Sequence, residues 1–105
     1  MATVKEVKGI NIKQAFELFD KANPEVYNLF EMKALTAYQM GKNKMSSKLI
    51  INVIRWEAFI QTEDKFSTFK INDAYTSHYA RKFALNNPSL KNLFNYRELR
   101  DTDNN

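Results

Sequence analysis

The 105-residue chain has no cysteine, one histidine, two glycines and two prolines. Without cysteine there is neither a disulfide scaffold nor a thiolate metal site, and an intracellular home is expected. So few glycines and prolines cannot supply the many tight turns of an all-β fold. No stretch approaches the roughly 18 apolar residues of a membrane span, and the first residues carry no apolar run of signal-peptide length. A soluble, cytoplasmic protein is the expectation.

The same scarcity limits the chemistry. His78 has no second histidine with which to form a zinc pair. Ser77 precedes it, but adjacent helical residues do not face each other, so no Ser-His-acid arrangement follows. Glu63-Asp64 is the only adjacent pair of acids; it falls in an expected loop and reads as a solvated turn. Gly9 and Gly41 alone cannot build a phosphate-cradling loop. No catalytic residue, metal or cofactor is expected.

What the chain does have is 44% hydrophobic residues, 13% of all residues being aromatic, enough for one packed domain. That domain is expected over residues 11–100, after a flexible or short-strand lead at 1–10 and before a frayed tail at 101–105. The net charge of +4 is unevenly spread. Residues 1–40 carry five lysines against five acids, whereas 41–100 carry eleven basic residues against five acids. A basic stretch of this kind suits an anionic partner, nucleic acid being the usual one, and equally suits ordinary solubility.

Apolar periodicity predicts helices through most of the chain. Asn11 caps a first helix with Ile12, Ala15, Phe16, Phe19 and Ala22 on one stripe. Asn23 caps and Pro24 opens a second helix running to about Met40, with Val26, Leu29, Phe30, Ala34, Ala37 and Tyr38 inward. Gly41 supplies a left-handed stop. The third helix starts at Ser46 or Ser47 and runs to about Ile60, with Leu49, Ile50, Val53, Trp56 and Ile60 as its buried stripe. Thr68 to Asn72 reads as a strand. Asp73, or Thr76 and Ser77, caps a fourth helix to about Leu85 that buries Tyr79, Ala80 and Phe83. Asn87-Pro88 opens a last short helix, and Phe94 to Leu99 reads as a strand pairing with the first. The expected architecture is mainly α, four to five helices with a small two-stranded β element, helix-turn-helix or winged-helix-like.

An internal echo runs through this pattern. Phe19 to Leu35 aligns without gaps to Phe83 to Leu99, and Phe19/Phe83, Asn23/Asn87, Pro24/Pro88, Asn28/Asn92, Leu29/Leu93, Phe30/Phe94 and Leu35/Leu99 are identical. It reads either as a duplicated helical hairpin or as one capping solution used twice.

Asn-Pro-x-Val-Tyr-x-Leu-Phe at 23–30, Leu49-Ile50-Ile51 leading to Ile54-Arg55-Trp56-Glu57, and Phe69-Lys70-Ile71-Asn72 form an ordered series of blocks. With Tyr79-Ala80-Arg81, Pro88, Phe94 and Arg97-Glu98-Leu99, the chain resembles a family of small proteins of unknown function encoded by phages and prophages. The resemblance spans roughly residues 15–100. It implies a mobile-element origin and a winged-helix-like fold, and it brings no catalytic residues.

The function expected from these features is a non-catalytic, phage-type accessory protein that binds nucleic acid. Helix, basic turn and helix form the outline of a helix-turn-helix. Lys42, Lys44 and Lys48 surround the start of the third helix, where free N–H groups also favour phosphate. Lys70 would add a phosphate contact, and Ser46 and Ser47 can cap and donate. Asn52 and Arg55 share a face with Lys48, with Ile51 beside them, and are residue types that read adenine and guanine edges. Trp56 and the phenylalanines follow helical spacing and read as core rather than as base-stacking platforms. The rival reading is an anti-CRISPR-like inhibitor that contacts a host defence protein; a third is self-association.

Overall fold

In the computed structural model, residues 11–61 and 70–94 are described. They form α1 (Ile12–Ala22), α2 (Pro24–Gln39), α3 (Ser47–Gln61) and α4 (Thr76–Asn86), with single 3-10 turns at Asp73–Tyr75 and Pro88–Leu90. The mainly helical expectation holds. Among the described residues there is no strand; Met45 and Phe94 form one isolated parallel bridge. Of the two expected strands, Lys70 to Asn72 is irregular backbone, and the remainder apart from Phe94 lies outside the described residues. The lead, the tail and Glu63-Asp64 lie outside them as well.

The ends of the helices follow from local chemistry. Asn11 and Gln14 make a reciprocal capping box on α1, Gln14 N–H donating to Asn11 Oδ1 at 2.8 Å and Asn11 N–H to Gln14 Oε1 at 3.1 Å. Past the end of α2, Gly41 sits at φ 102°, Lys42 N–H donates to Ala37 O and Gly41 N–H to Tyr38 O. Those two bonds make a Schellman motif, whose left-handed residue must be one without a Cβ to avoid strain.

At Asn23 and Asn87 the expected polarity of capping is reversed. Neither side chain caps the helix or turn that follows. Each instead donates backward: Asn23 Nδ2 to Phe19 O at 3.0 Å and Asn87 Nδ2 to Phe83 O at 3.1 Å. The backbone N–H of each asparagine reaches the same carbonyl, at 2.9 and 2.8 Å. A carbonyl can accept two hydrogen bonds, and a proline next in sequence stops the helix there, so the amide adds a second bond at the helix end rather than serving the start. The two asparagines share nearly one backbone conformation, φ −134°, ψ 63° and φ −135°, ψ 70°. The echo in the sequence is thus repeated in structure. It ends at the prolines, where one copy opens the 16-residue α2 and the other a three-residue turn.

The core is aromatic. Phe30 of α2 stacks on Tyr79 of α4, centroids 5.7 Å apart, and on Phe94 at 5.3 Å. Phe94 meets Phe83 edge-on at 5.4 Å, and Phe16 of α1 meets Tyr79 edge-on at 4.8 Å. These rings, with Phe19, Val26, Ala34 and Ile71, are buried. Such edge-on and offset pairs suit the ring quadrupole and add to the stabilisation from burial. α3 closes the core with Ile50, Ile51 and Ile54.

A polar clasp lies between α2 and α4. Tyr27 donates to Glu31 at 2.9 Å, Asn86 donates to the Tyr27 hydroxyl, and Asn87 donates to Glu31. Lys82 caps this seam, its Nζ 4.4 Å from the Tyr27 ring centroid and paired with Asp20 of α1. Burial and the neighbouring Glu31 push the Tyr27 hydroxyl up to about 12, the Asn86 bond opposing them. Tyr79 is raised too, chiefly by burial, with Asp20 adding.

Candidate binding surface on the third helix

The basic turn between α2 and α3 is held at both ends. The Schellman motif fixes its start, and Met45 N–H donates to Leu93 O at 2.9 Å near its end. Ser46 is the N-cap of α3, its Oγ accepting from Leu49 N–H at 3.2 Å. Ser47 is buried. Lys42, Lys44 and Lys48 are exposed around this end, as is Lys70. Lys42 and Lys44 in the turn and Lys48 in the first turn of α3 are thus all exposed at the start of α3, while Ser46 serves as its cap and Ser47 is buried.

Asn52 and Arg55 are on one flank of α3, as their spacing requires, but their polar groups are engaged within the chain. Arg55 Nη1 donates to Asn52 Oδ1 at 2.8 Å. Its Nη2 donates to the Ile71 carbonyl and to Asp73 Oδ1, the latter at 2.7 Å. The guanidinium thus fastens the backbone after residue 70 onto α3. A bidentate grip on guanine would have to compete with these bonds. The hydrogen bond and charge of Arg55 hold the Asp73 carboxyl below the usual carboxylate range, with Lys48 adding to the effect. Asn72 Oδ1 caps the following 3-10 turn by accepting from Ala74 N–H at 2.9 Å.

The outward face of α3 corrects the sequence reading most. Leu49, Val53, Trp56 and Ile60, expected in the core, are 61%, 37%, 60% and 55% exposed, and Phe59 beside them is 68% exposed. Trp56 and Phe59 lean on one another, centroids 5.7 Å apart. The helix carries two apolar stripes. Ile50, Ile51 and Ile54 form the one that meets the core, and Leu49, Val53, Trp56 and Ile60 form the other. Periodicity registers both and cannot say which faces inward. Smaller errors have the same origin: Ile12 and Tyr38 are exposed, while Tyr27 is buried.

His78 is half-buried on α4, stacked on Phe16 at 5.3 Å. Burial first, then the charges of Arg81 and Lys13, lower its pKa below 6.5 against the opposing pull of Glu17. Among the described residues no three His, Cys, Asp or Glu side chains converge as a metal ion requires. No helix among them is long and apolar enough to cross a membrane.

No protein-family model matches the chain, and comparisons with curated proteins and with solved structures find no match.

Proposed function

We propose that this is a non-catalytic binding protein whose working surface is the outward face of α3, and that it acts by protein–protein contact. The observation carrying this is the exposed stripe of Leu49, Val53, Trp56 and Ile60 with Phe59 at its side. Contiguous apolar surface of this kind marks interaction sites, whereas single exposed apolar residues do not. A groove-reading helix would present polar edges here; α3 presents a tryptophan and aliphatic groups, and its arginine is engaged elsewhere. The resemblance to phage-encoded proteins supplies the setting, an accessory protein in the host cytoplasm.

A second reading, nucleic-acid binding, rests on the exposed cluster of Lys42, Lys44 and Lys48 with Lys70. It is a phosphate-contact reading without base recognition. Four such contacts give a log–log salt slope of about −3 to −4, and Lys44→Ala flattens it by roughly one. Photo-crosslinking in cells separates the two. A photoreactive side chain at position 53 should give protein adducts, and one at exposed Leu85 on α4 should not. Nucleic-acid adducts at 53, or none, would overturn the protein-contact reading.

A further inference from the structure

We propose that the protein seated on this face is a second copy of the chain, with the two α3 helices packed antiparallel about a two-fold axis. The inference rests on the reading of α3 as a protein-contact surface and names its occupant. Leu49, Val53, Trp56 and Ile60 are spaced by four, three and four residues. That is the a/d spacing of a helix–helix seam, in which each side chain enters a hole on the facing helix.

The spacing reads the same in both directions, which fits a symmetric pair. Antiparallel packing centred between Val53 and Trp56 sets Leu49 of one copy against Ile60 of the other, and Val53 against Trp56. The small residue of the central pair meets the large one, the arrangement that fills a seam without voids. The same register sets Asn52 opposite Glu57 at the rim. The Asn52 carbonyl already accepts from Arg55, and its amide N–H groups are free to donate across the axis.

Charge favours this occupant and this direction. Glu57 is paired with Lys33 at 2.8 Å and Arg55 with Asp73, so the charges flanking the seam are matched inside each chain. Among the described residues, an acidic partner would find no free cation along the seam beyond Lys48 at its end. Parallel packing would set the two Lys42, Lys44 and Lys48 clusters side by side. Antiparallel packing places them at opposite ends of the paired helices, about 20 Å apart at 1.5 Å per residue.

The area is sufficient. With ordinary side-chain areas, the five apolar residues expose on the order of 500 Å² per copy, as large as the greatest patch on a typical monomer. Doubled across the axis this is about 1,000 Å², the size at which a specific interface begins.

Sedimentation equilibrium on the full chain tests the proposal. The expected result is a monomer–dimer equilibrium, with Trp56 emission moving to the blue as dimer forms. Trp56→Glu and Val53→Glu should raise the dissociation constant at least about 30-fold, as loss of an interface hot spot does, with the far-ultraviolet circular dichroism of the monomer retained. The absence of native cysteine allows the direction to be read directly. Leu49→Cys mixed with Ile60→Cys should form a disulfide-linked dimer efficiently, and Leu49→Cys alone should not. A monomer at all concentrations up to about 1 mM, where binding is weaker than about 4 kcal/mol, overturns the proposal. So does preferential linkage of Leu49→Cys to itself. A monomer whose position-53 photo-adduct is a different protein overturns the second copy alone; a monomer without protein adducts overturns the contact reading with it.

Discussion

Replacing Arg55 by alanine removes three hydrogen bonds at once: those to Asn52, to the Ile71 carbonyl and to Asp73. Their weights differ. Asn52 and Asp73 are exposed, so water replaces the lost donor and little stability goes with it. The Ile71 carbonyl belongs to a buried residue, and its bond to the guanidinium is partly buried. Losing a charged donor there costs about 1–3 kcal/mol. Arg55→Ala should therefore destabilise the protein by about 1–3 kcal/mol, while Asp73→Asn should cost only a small part of that. Arg55→Lys should fall between them, because an ammonium cannot reproduce the planar fork that spans three acceptors.

Urea denaturation of the three variants, extrapolated linearly to water, reads these differences. The pH dependence adds a check on sign. Asp73 has its folded pKa depressed below 3.8. Whatever stability it contributes is present above 3.8 and is lost as pH falls through the folded value. Wild type and Arg55→Ala should converge slightly in acid but remain distinct, since the Ile71 bond does not titrate. Unchanged stability in Arg55→Ala would refute a structural role for the Arg55–Ile71 bond, as would a loss in Asp73→Asn equal to that in Arg55→Ala. Unchanged stability together with altered binding to particular DNA sequences would return Arg55 to the role of base reader.

Asn23→Ala and Asn87→Ala should each cost about 0.5–1.5 kcal/mol for the hydrogen bond lost at the helix end, and Asn87→Ala should cost more because it also loses the bond to Glu31; equal denaturation midpoints would contradict this. Gly41→Ala should lose about 1 kcal/mol through backbone strain alone, because a Cβ at that position meets nothing within 4 Å; Gly41→Asn should recover part of it. His78 should titrate below 6.5 by NMR. Since its folded pKa is the lower one, its contribution is complete above pH 6.5 and is lost as pH falls from there to the folded value, so His78→Phe should flatten that part of the stability profile.

How much was legible in the sequence depended on whether a signal was local. Asn11 before a helical stripe, Gly41 after one, and Tyr79, Ala80 and Phe83 at helical spacing each carry their structural reason within a few residues, and each is found as expected. Asn23-Pro24 shows the limit. The dipeptide marks a boundary correctly, but which helix the asparagine serves depends on whether its amide can reach the Phe19 carbonyl, a matter of backbone geometry at ψ 63°. Asp73 was open to reading as a helix cap. Its partner, Arg55, lies 18 residues away, and no periodicity links the two.

The third helix was the hardest to read because its sequence satisfies two contradictory descriptions. Ser47, Ile50, Ile51 and Ile54 make a stripe, and so do Leu49, Val53, Trp56 and Ile60. The expected stripe adds Ile50 to the one with tryptophan, after the general rule that large aromatics are buried, and leaves the fully buried Ile51 on the polar face. The core is already rich in rings: Phe30, Tyr79, Phe83 and Phe94 pack on one another among α2, α4 and the segment after Pro88. What remains for α3 to supply is a thin β-branched face, and three isoleucines supply it. A helix apolar on more than one side is under-described by its own chain. That excess carries the functional argument, since a protein with a filled core that still holds Trp56 and Phe59 in water has stability reason enough to bury them against something else.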